Sequence, residues 1–144
     1  MSSSIFLVVV FFLLAVSKVE PTMKRSEFPP KVLELADALH STCLPRSGTD
    51  EESINKVIDG EFTDEPKIKA YMQCLMDESE LVDENGELIM DLIIPLTPPK
   101  IFDEALKNTK FCDGERKEVK ERTDKAFVFF KCIYGKNPDT FIFF

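Results

Sequence analysis

No tryptophan occurs among the 144 residues of this chain, histidine occurs once and tyrosine twice. Nor is there a Gly-x-Ser-x-Gly elbow, a His-Glu-x-x-His pair, a glycine-rich phosphate loop or a nucleotide fingerprint. The single imidazole, His40, has no motif around it and reads as structural or solvent-facing. With one histidine and no Cys-x-x-Cys spacing, zinc has no ligand set. The acidic turn Asp83-Glu84-Asn85-Gly86 resembles a calcium loop. Aligning its glycine, however, puts Leu81 and Leu92 at the two end ligand positions, where an aliphatic side chain cannot coordinate. No Asn-x-Ser/Thr acceptor for an N-linked glycan is present. Basic residues are in deficit, 18 against 26 acidic ones, and the net charge of −8 repels phosphate backbones and anionic lipid heads. These absences lead to the expectation of no enzymatic activity, no cofactor, no metal and no nucleic-acid partner.

What is present begins with a hydrophobic leader. Residues 5–16 form an uncharged apolar run, of signal-peptide length and shorter than the roughly 20 residues a membrane span requires. Ala15-Val16-Ser17 offers a cleavage site, so residues 1–17 read as a signal peptide and 18–144 as one secreted domain. Met1 to Ser4 carry no Lys or Arg, which leaves an uncleaved anchor as the competing reading. After the leader no apolar run approaches spanning length. Export places the four cysteines, Cys43, Cys74, Cys112 and Cys132, in an oxidising compartment, where an even count favours two disulfides. The count alone allows three pairings.

Apolar spacing is helical throughout. Pro29-Pro30 opens a first helix whose stripe is Val32, Leu35, Ala36 and Leu39, with Pro45 as its expected end. Thr49 to Glu52 has the Ser/Thr-x-x-Glu capping pattern of a second, short helix ending at Gly60. Thr63-Asp64-Glu65-Pro66 starts a third, with Ile68, Met72, Leu75 and Met76 on one face. Leu88 to Leu96 and then Ile101 to Leu106 read as a bent pair divided by prolines. From Asp113 to Gly135 the acid-before-base pairs Asp113–Lys117, Glu118–Arg122 and Glu121–Lys125 point to one long helix. Its second half, Ala126 to Phe130, is apolar all round and is expected at the centre. The tail, Phe141-Ile142-Phe143-Phe144, must dock against the domain or promote aggregation. The fold class is all-α with about six helices.

Taken together, these residues resemble an insect odorant-binding protein of the pheromone and general-odorant-binding family, over most of residues 28–144. The family pattern has six cysteines. Ala70, three intervening residues before Cys74, stands at its second cysteine, and Thr123, eight before Cys132, at its fifth. Those two are partners in the family's middle bridge, so losing both is the mark of its four-cysteine, minus-C group. Lys69-Ala70-Tyr71, the Asn85-Gly86 turn, Asp124-Lys125-Ala126-Phe127 and Asn137-Pro138-Asp139 also match.

The resemblance implies bridges Cys43–Cys74 and Cys112–Cys132, and helices around an internal apolar cavity. It implies a pocket more adaptable than in six-cysteine relatives, because the third helix and the long helix meet only by packing around Ala70 and Thr123. Ligand-binding residues expected on that analogy are Leu35, Leu39, Met72, Met76, Leu88, Leu92 and Leu96, with Ile101, Ala105, Phe127, Phe130 and Ile133. Phe141 and Ile142 would fold back as a wall or lid. Tyr71, Tyr134 and Thr123 are the expected hydrogen-bonding groups. With His40 the only imidazole, weak pH dependence is expected. The implied function is an extracellular carrier of odorants, pheromones or similar small hydrophobic molecules in sensory lymph or glandular fluid, a monomer or weak dimer that hands its cargo to a chemosensory receptor. The alternative is a secreted interaction module whose apolar tail docks on a partner protein.

Overall fold

A computed structural model describes residues 23–144; the leader and its cleavage site lie outside the described residues. Six α-helices are present among them: α1 (Pro30–Ser47), α2 (Glu51–Ile58), α3 (Pro66–Glu78), α4 (Met90–Ile93), α5 (Phe102–Lys117) and α6 (Arg122–Lys136). Short 3-10 turns at Ile94–Leu96, Pro99–Ile101 and Pro138–Thr140 join the later elements. The described residues contain no strand, only an isolated antiparallel bridge between Val82 and Leu88. None of their helices is long and apolar enough to cross a membrane.

Local chemistry sets most of the boundaries. Pro30 and Pro66 occupy first-turn positions, where the missing N–H would have had no helical partner. α1 runs through Pro45 rather than stopping there, because a proline in the last turn forfeits only one hydrogen bond; the stop is Gly48, at φ 71° in the left-handed region. The cap of α2 is Asp50, not Thr49. Its carboxylate accepts from the Ser53 N–H at 2.8 Å, and that bond holds the Asp50 carboxyl below its usual range. Asp83 Oδ1 likewise accepts from the N–H groups of Asn85 and Glu87, at 2.8 and 2.9 Å, which folds the turn at Gly86.

The expected long helix does not form. A continuous helix would separate Cys112 from Cys132 by about 30 Å at ~1.5 Å per residue. The bridge between them holds the Cα atoms 5.6 Å apart. The chain therefore reverses at residues 118–121, and α5 and α6 pack side by side. Asp113 sits in the last turns of α5 and accepts from buried Arg116 at 2.7 Å, while Arg116 also donates to the Gly86 carbonyl at 2.5 Å. Of the three expected pairs only Asp113–Lys117 forms, at 3.0 Å; the reversal leaves Glu118 and Glu121 outside the helices, as the caps that flank it. α6 ends at Lys136, one residue beyond Gly135.

The second bridge, Cys43–Cys74, fixes α1 to α3. Each clasp contributes roughly 3 to 4 kcal/mol in the chain-entropy model. The core formed by α1, α2, α3 and α6 contains Leu39, Ile54, Val57, Ile68, Tyr71, Met72, Leu75 and Ala126. α6 contacts both α3 and α5, which is the central position expected of it. Only Ala126 on it is fully buried, however; its phenylalanines are partly buried against the core, and Phe129 and Phe130 also border a cavity.

Lys69 occupies the joint where a middle bridge is missing. Its ammonium pairs across to Asp124 of α6 at 2.7 Å and to Asp64, and lies 5.3 Å from the centre of the Phe127 ring. The hydrogen bonds to Asp124 and then Asp64 raise its pKa above the usual lysine range. A Lys69→Met variant keeps the stem on Phe127 and removes the charge. It is expected to lower the thermal midpoint and make it less sensitive to ionic strength than the wild type; an unchanged midpoint and salt response would show that the joint rests on apolar packing alone.

Candidate functional site

A cavity of about 270 Å³ opens between α1, the C-terminal half of α3, the segment from Leu81 to Ile101, α5, α6 and the tail. Eleven of the expected positions border it. Leu35 and Leu39 come from α1, Met76 from α3, and Leu88 and Leu96 from the stretch either side of α4. Ile101 comes from the 3-10 turn that leads into α5, Ala105 from α5, Phe130 and Ile133 from α6, and Phe141 and Ile142 from the tail. No charged side chain takes part.

Three expected residues lie elsewhere, each for a geometric reason. Met72 is fully buried in the core, one helical turn before Met76, because the cavity begins only at the C-terminal half of α3. Leu92 is 46% exposed. Its selection assumed one continuous helix carrying Leu88, Leu92 and Leu96, but α4 is only four residues long and turns Ile93 inward instead. Phe127 shares a face of α6 with Tyr134, seven residues on, and both pack against Phe62, at ring separations of 6.0 and 5.6 Å.

Other lining residues were not anticipated. Val32 belongs to the same stripe as Leu35 and Leu39, and Phe129 is next to Phe130, so their spacing held the signal; Phe28 precedes the first helix and carried none. Nor did spacing mark Phe143 and Phe144, which line the cavity with the two tail residues already expected. Of the expected hydrogen-bonding groups, Tyr71, Tyr134 and Thr123 all lie outside the lining.

The tail is built into the bundle as a chain of aromatic contacts. Phe143 is 7% exposed; it stacks on Phe141 at 5.8 Å and meets Phe130 and Tyr71 edge-on at 5.3 and 5.8 Å. Tyr71, fully buried on α3, donates its phenolic hydrogen bond to the main-chain oxygen of Phe144. Burial, aided by the Glu51 carboxylate, raises the Tyr71 pKa far above the usual phenol range, so it remains a donor.

His40 is neither isolated nor simply exposed. Its Nδ1 lies 3.0 Å from the Tyr71 hydroxyl and its Nε2 lies 2.8 Å from Glu51 Oε1. Tyr71 has one proton and two neighbours. An imidazolium donates to both Glu51 and the phenol oxygen, leaving the Tyr71 proton free for the tail. A neutral ring has only one proton: if it faces Glu51, the Nδ1 lone pair competes with Phe144 for the Tyr71 hydrogen. The imidazole is thus one residue removed from the tail, through the Tyr71 hydroxyl.

A second depression of about 340 Å³ lies beside the Gly86 turn, lined by Asp77, Glu87, Lys117 and Arg122 among others. Within it Arg122 pairs with Asp77 at 2.7 Å and Lys117 with Glu87.

The Tyr71 hydroxyl is expected to contribute measurably to holding the tail. Hydrogen-exchange protection of the Phe141–Phe144 amides should fall about fivefold in Tyr71→Phe, consistent with the loss of a single hydrogen bond worth ~1 kcal/mol. Protection equal to the wild type would show that aromatic packing alone holds the tail.

The family model for the PBP/GOBP family matches residues 25–136. The chain is 28% identical over 117 residues to the B1 protein of Tenebrio molitor, an alignment covering 76% of this chain and 83% of that protein. In shape it is similar to Odorant Binding Protein 4 of Chrysopa pallens, at TM-score 0.64 and 24% identity, with 83% of this chain and 98% of that one covered. It is also similar to Odorant Binding Protein 7 from Anopheles gambiae, solved with four disulfide bridges in complex with an azo compound. There the TM-score is 0.58 and the identity 24%, with coverage of 74% and 86%. The solved structures share the all-α fold, and the family model spans most of the length. The chain belongs to the PBP/GOBP family.

Proposed function

We propose that this protein is an extracellular carrier that binds and solubilises small hydrophobic molecules such as odorants or pheromones. The observation that supports it most directly is the cavity of about 270 Å³, lined by no charged side chain and walled on one side by the chain's own aromatic tail. Membership of the PBP/GOBP family supports the same reading, as does the azo compound held by the Anopheles relative of similar fold. The eleven expected residues that border the cavity are the proposed contacts. Catalysis has no place in this scheme, since His40 is engaged with Glu51 and Tyr71 and does not border the cavity.

The tail argues against the interaction-module alternative. A segment reserved for a partner would leave its aromatic rings available, whereas Phe143 is buried among Tyr71, Phe130 and Phe141. The leader at residues 1–17 fits export into sensory or glandular fluid, with delivery of the cargo to a chemosensory receptor.

Affinity follows from area. A guest burying roughly 300 Å² gains ~7.5 kcal/mol at ~25 cal/mol per Å², which limits binding to about the micromolar range before ordering costs. Fluorescence titration with N-phenyl-1-naphthylamine, combined with gel filtration, tests the reading. A carrier gives saturable, roughly micromolar binding by the monomer or weak dimer alone; binding that appears only after a protein partner is added would favour the interaction module.

A further inference from the structure

The cavity wall is apolar except at five side chains, Ser79, Thr97, Asn108, Thr109 and Thr140. Three of these have already used their hydroxyl protons. Ser79 donates to the Met76 carbonyl at 2.9 Å and accepts from the Leu81 N–H at 3.3 Å. Thr97 donates to the Ile93 carbonyl at 3.0 Å, and Thr140 to the Asn137 carbonyl at 3.2 Å. Asn108 and Thr109, adjacent on α5, are different: among the described residues neither side chain has a hydrogen-bond partner, and neither is fully buried. Asparagine in mid-helix is also a poor choice for helix stability, so nothing local explains Asn108.

The geometry points to Asn108 and Thr109 as the polar handle of the cavity, a specificity-determining pair that takes the oxygen of a neutral guest. The inference rests on the carrier reading above. The Asn108 amide and the Thr109 hydroxyl each offer a donor to a carbonyl or ether oxygen, and the Asn108 carbonyl can accept from an alcohol. Ketones, aldehydes, esters and alcohols are thus the favoured class. A hydrocarbon leaves the handle unsatisfied. A carboxylate fares worst, because no charged side chain lines the cavity to offset its desolvation, and the net charge of −8 opposes its approach.

Displacement of N-phenyl-1-naphthylamine from the disulfide-bonded protein by three guests of one skeleton, butylbenzene, butyrophenone and 4-phenylbutanoate, tests the assignment at neutral pH. The expected wild-type order places the carboxylate last. In the double variant Asn108→Leu/Thr109→Val the ratio of ketone to hydrocarbon affinity should fall about fivefold or more, the loss of one or two hydrogen bonds, while butylbenzene binds as well as before or better. The single variants should each show a smaller fall, and they carry the test if the double variant fails to fold. A ratio unchanged by all three variants, or a carboxylate that binds tightest, would overturn the handle while leaving the carrier intact. Failure of the wild type to bind the naphthylamine at all would overturn the carrier reading and the handle with it.

Discussion

Four consecutive apolar residues at the end of the chain cannot be left in water, and the bundle is arranged around the place where they are buried. Phe143 enters the core between Tyr71 and Phe130, Phe141 stacks against it, and the Tyr71 hydroxyl holds the last main-chain oxygen. The tail therefore does two things at once. It removes a large apolar surface from solvent, and it forms one wall of a cavity that the helices alone would leave open to water. Tyr71 is also tied to His40, and His40 to Glu51, so one hydrogen-bond chain links the tail to the first turn of α2.

The disulfides decide where the helices meet. Cys43–Cys74 joins α1 to α3, and Cys112–Cys132 joins α5 to α6, so two helix pairs are covalently fixed. The contact between those pairs, α3 against α6, is noncovalent. Packing alone was expected there, around Ala70 and Thr123. Instead the neighbouring Lys69 bridges to Asp124 and lies against Phe127, so charge and an aromatic face share the joint with the core. An ion pair of this kind is softer than a covalent link and is screened by salt. It divides the bundle between a clasped pair that carries the cavity's first wall and a clasped pair that carries its opposite one.

Much of this was legible in the residues, for identifiable reasons. Periodicity located α1 and α3, the capping pattern located α2, and the pairing implied by family resemblance holds in both bridges. The largest error was internal to the reading. A helix running from Asp113 to Gly135 and a bridge from Cys112 to Cys132 cannot coexist, since 20 residues of helix hold the two thiols far apart. Charge pairs four apart suggested the helix, but each is worth only a few tenths of a kcal/mol and yields easily to a covalent constraint. The same limit applies to the cavity. Leu92 and Phe127 were misplaced because a period of 3.6 fixes a face only when the extent of the helix is known. Asn108 and Thr109 carry no periodic signal; only the inventory of hydrogen bonds around them distinguishes them.

The dual role of the tail is the claim on which the rest hangs, and deleting it is the most direct measurement. A chain ending at Thr140, checked by circular dichroism for retained helix, should bind a hydrophobic fluorophore about tenfold more weakly and release it faster, since a wall of apolar area is gone. Equal or tighter binding by the shortened chain would mean that the tail occupies the guest's place rather than enclosing it.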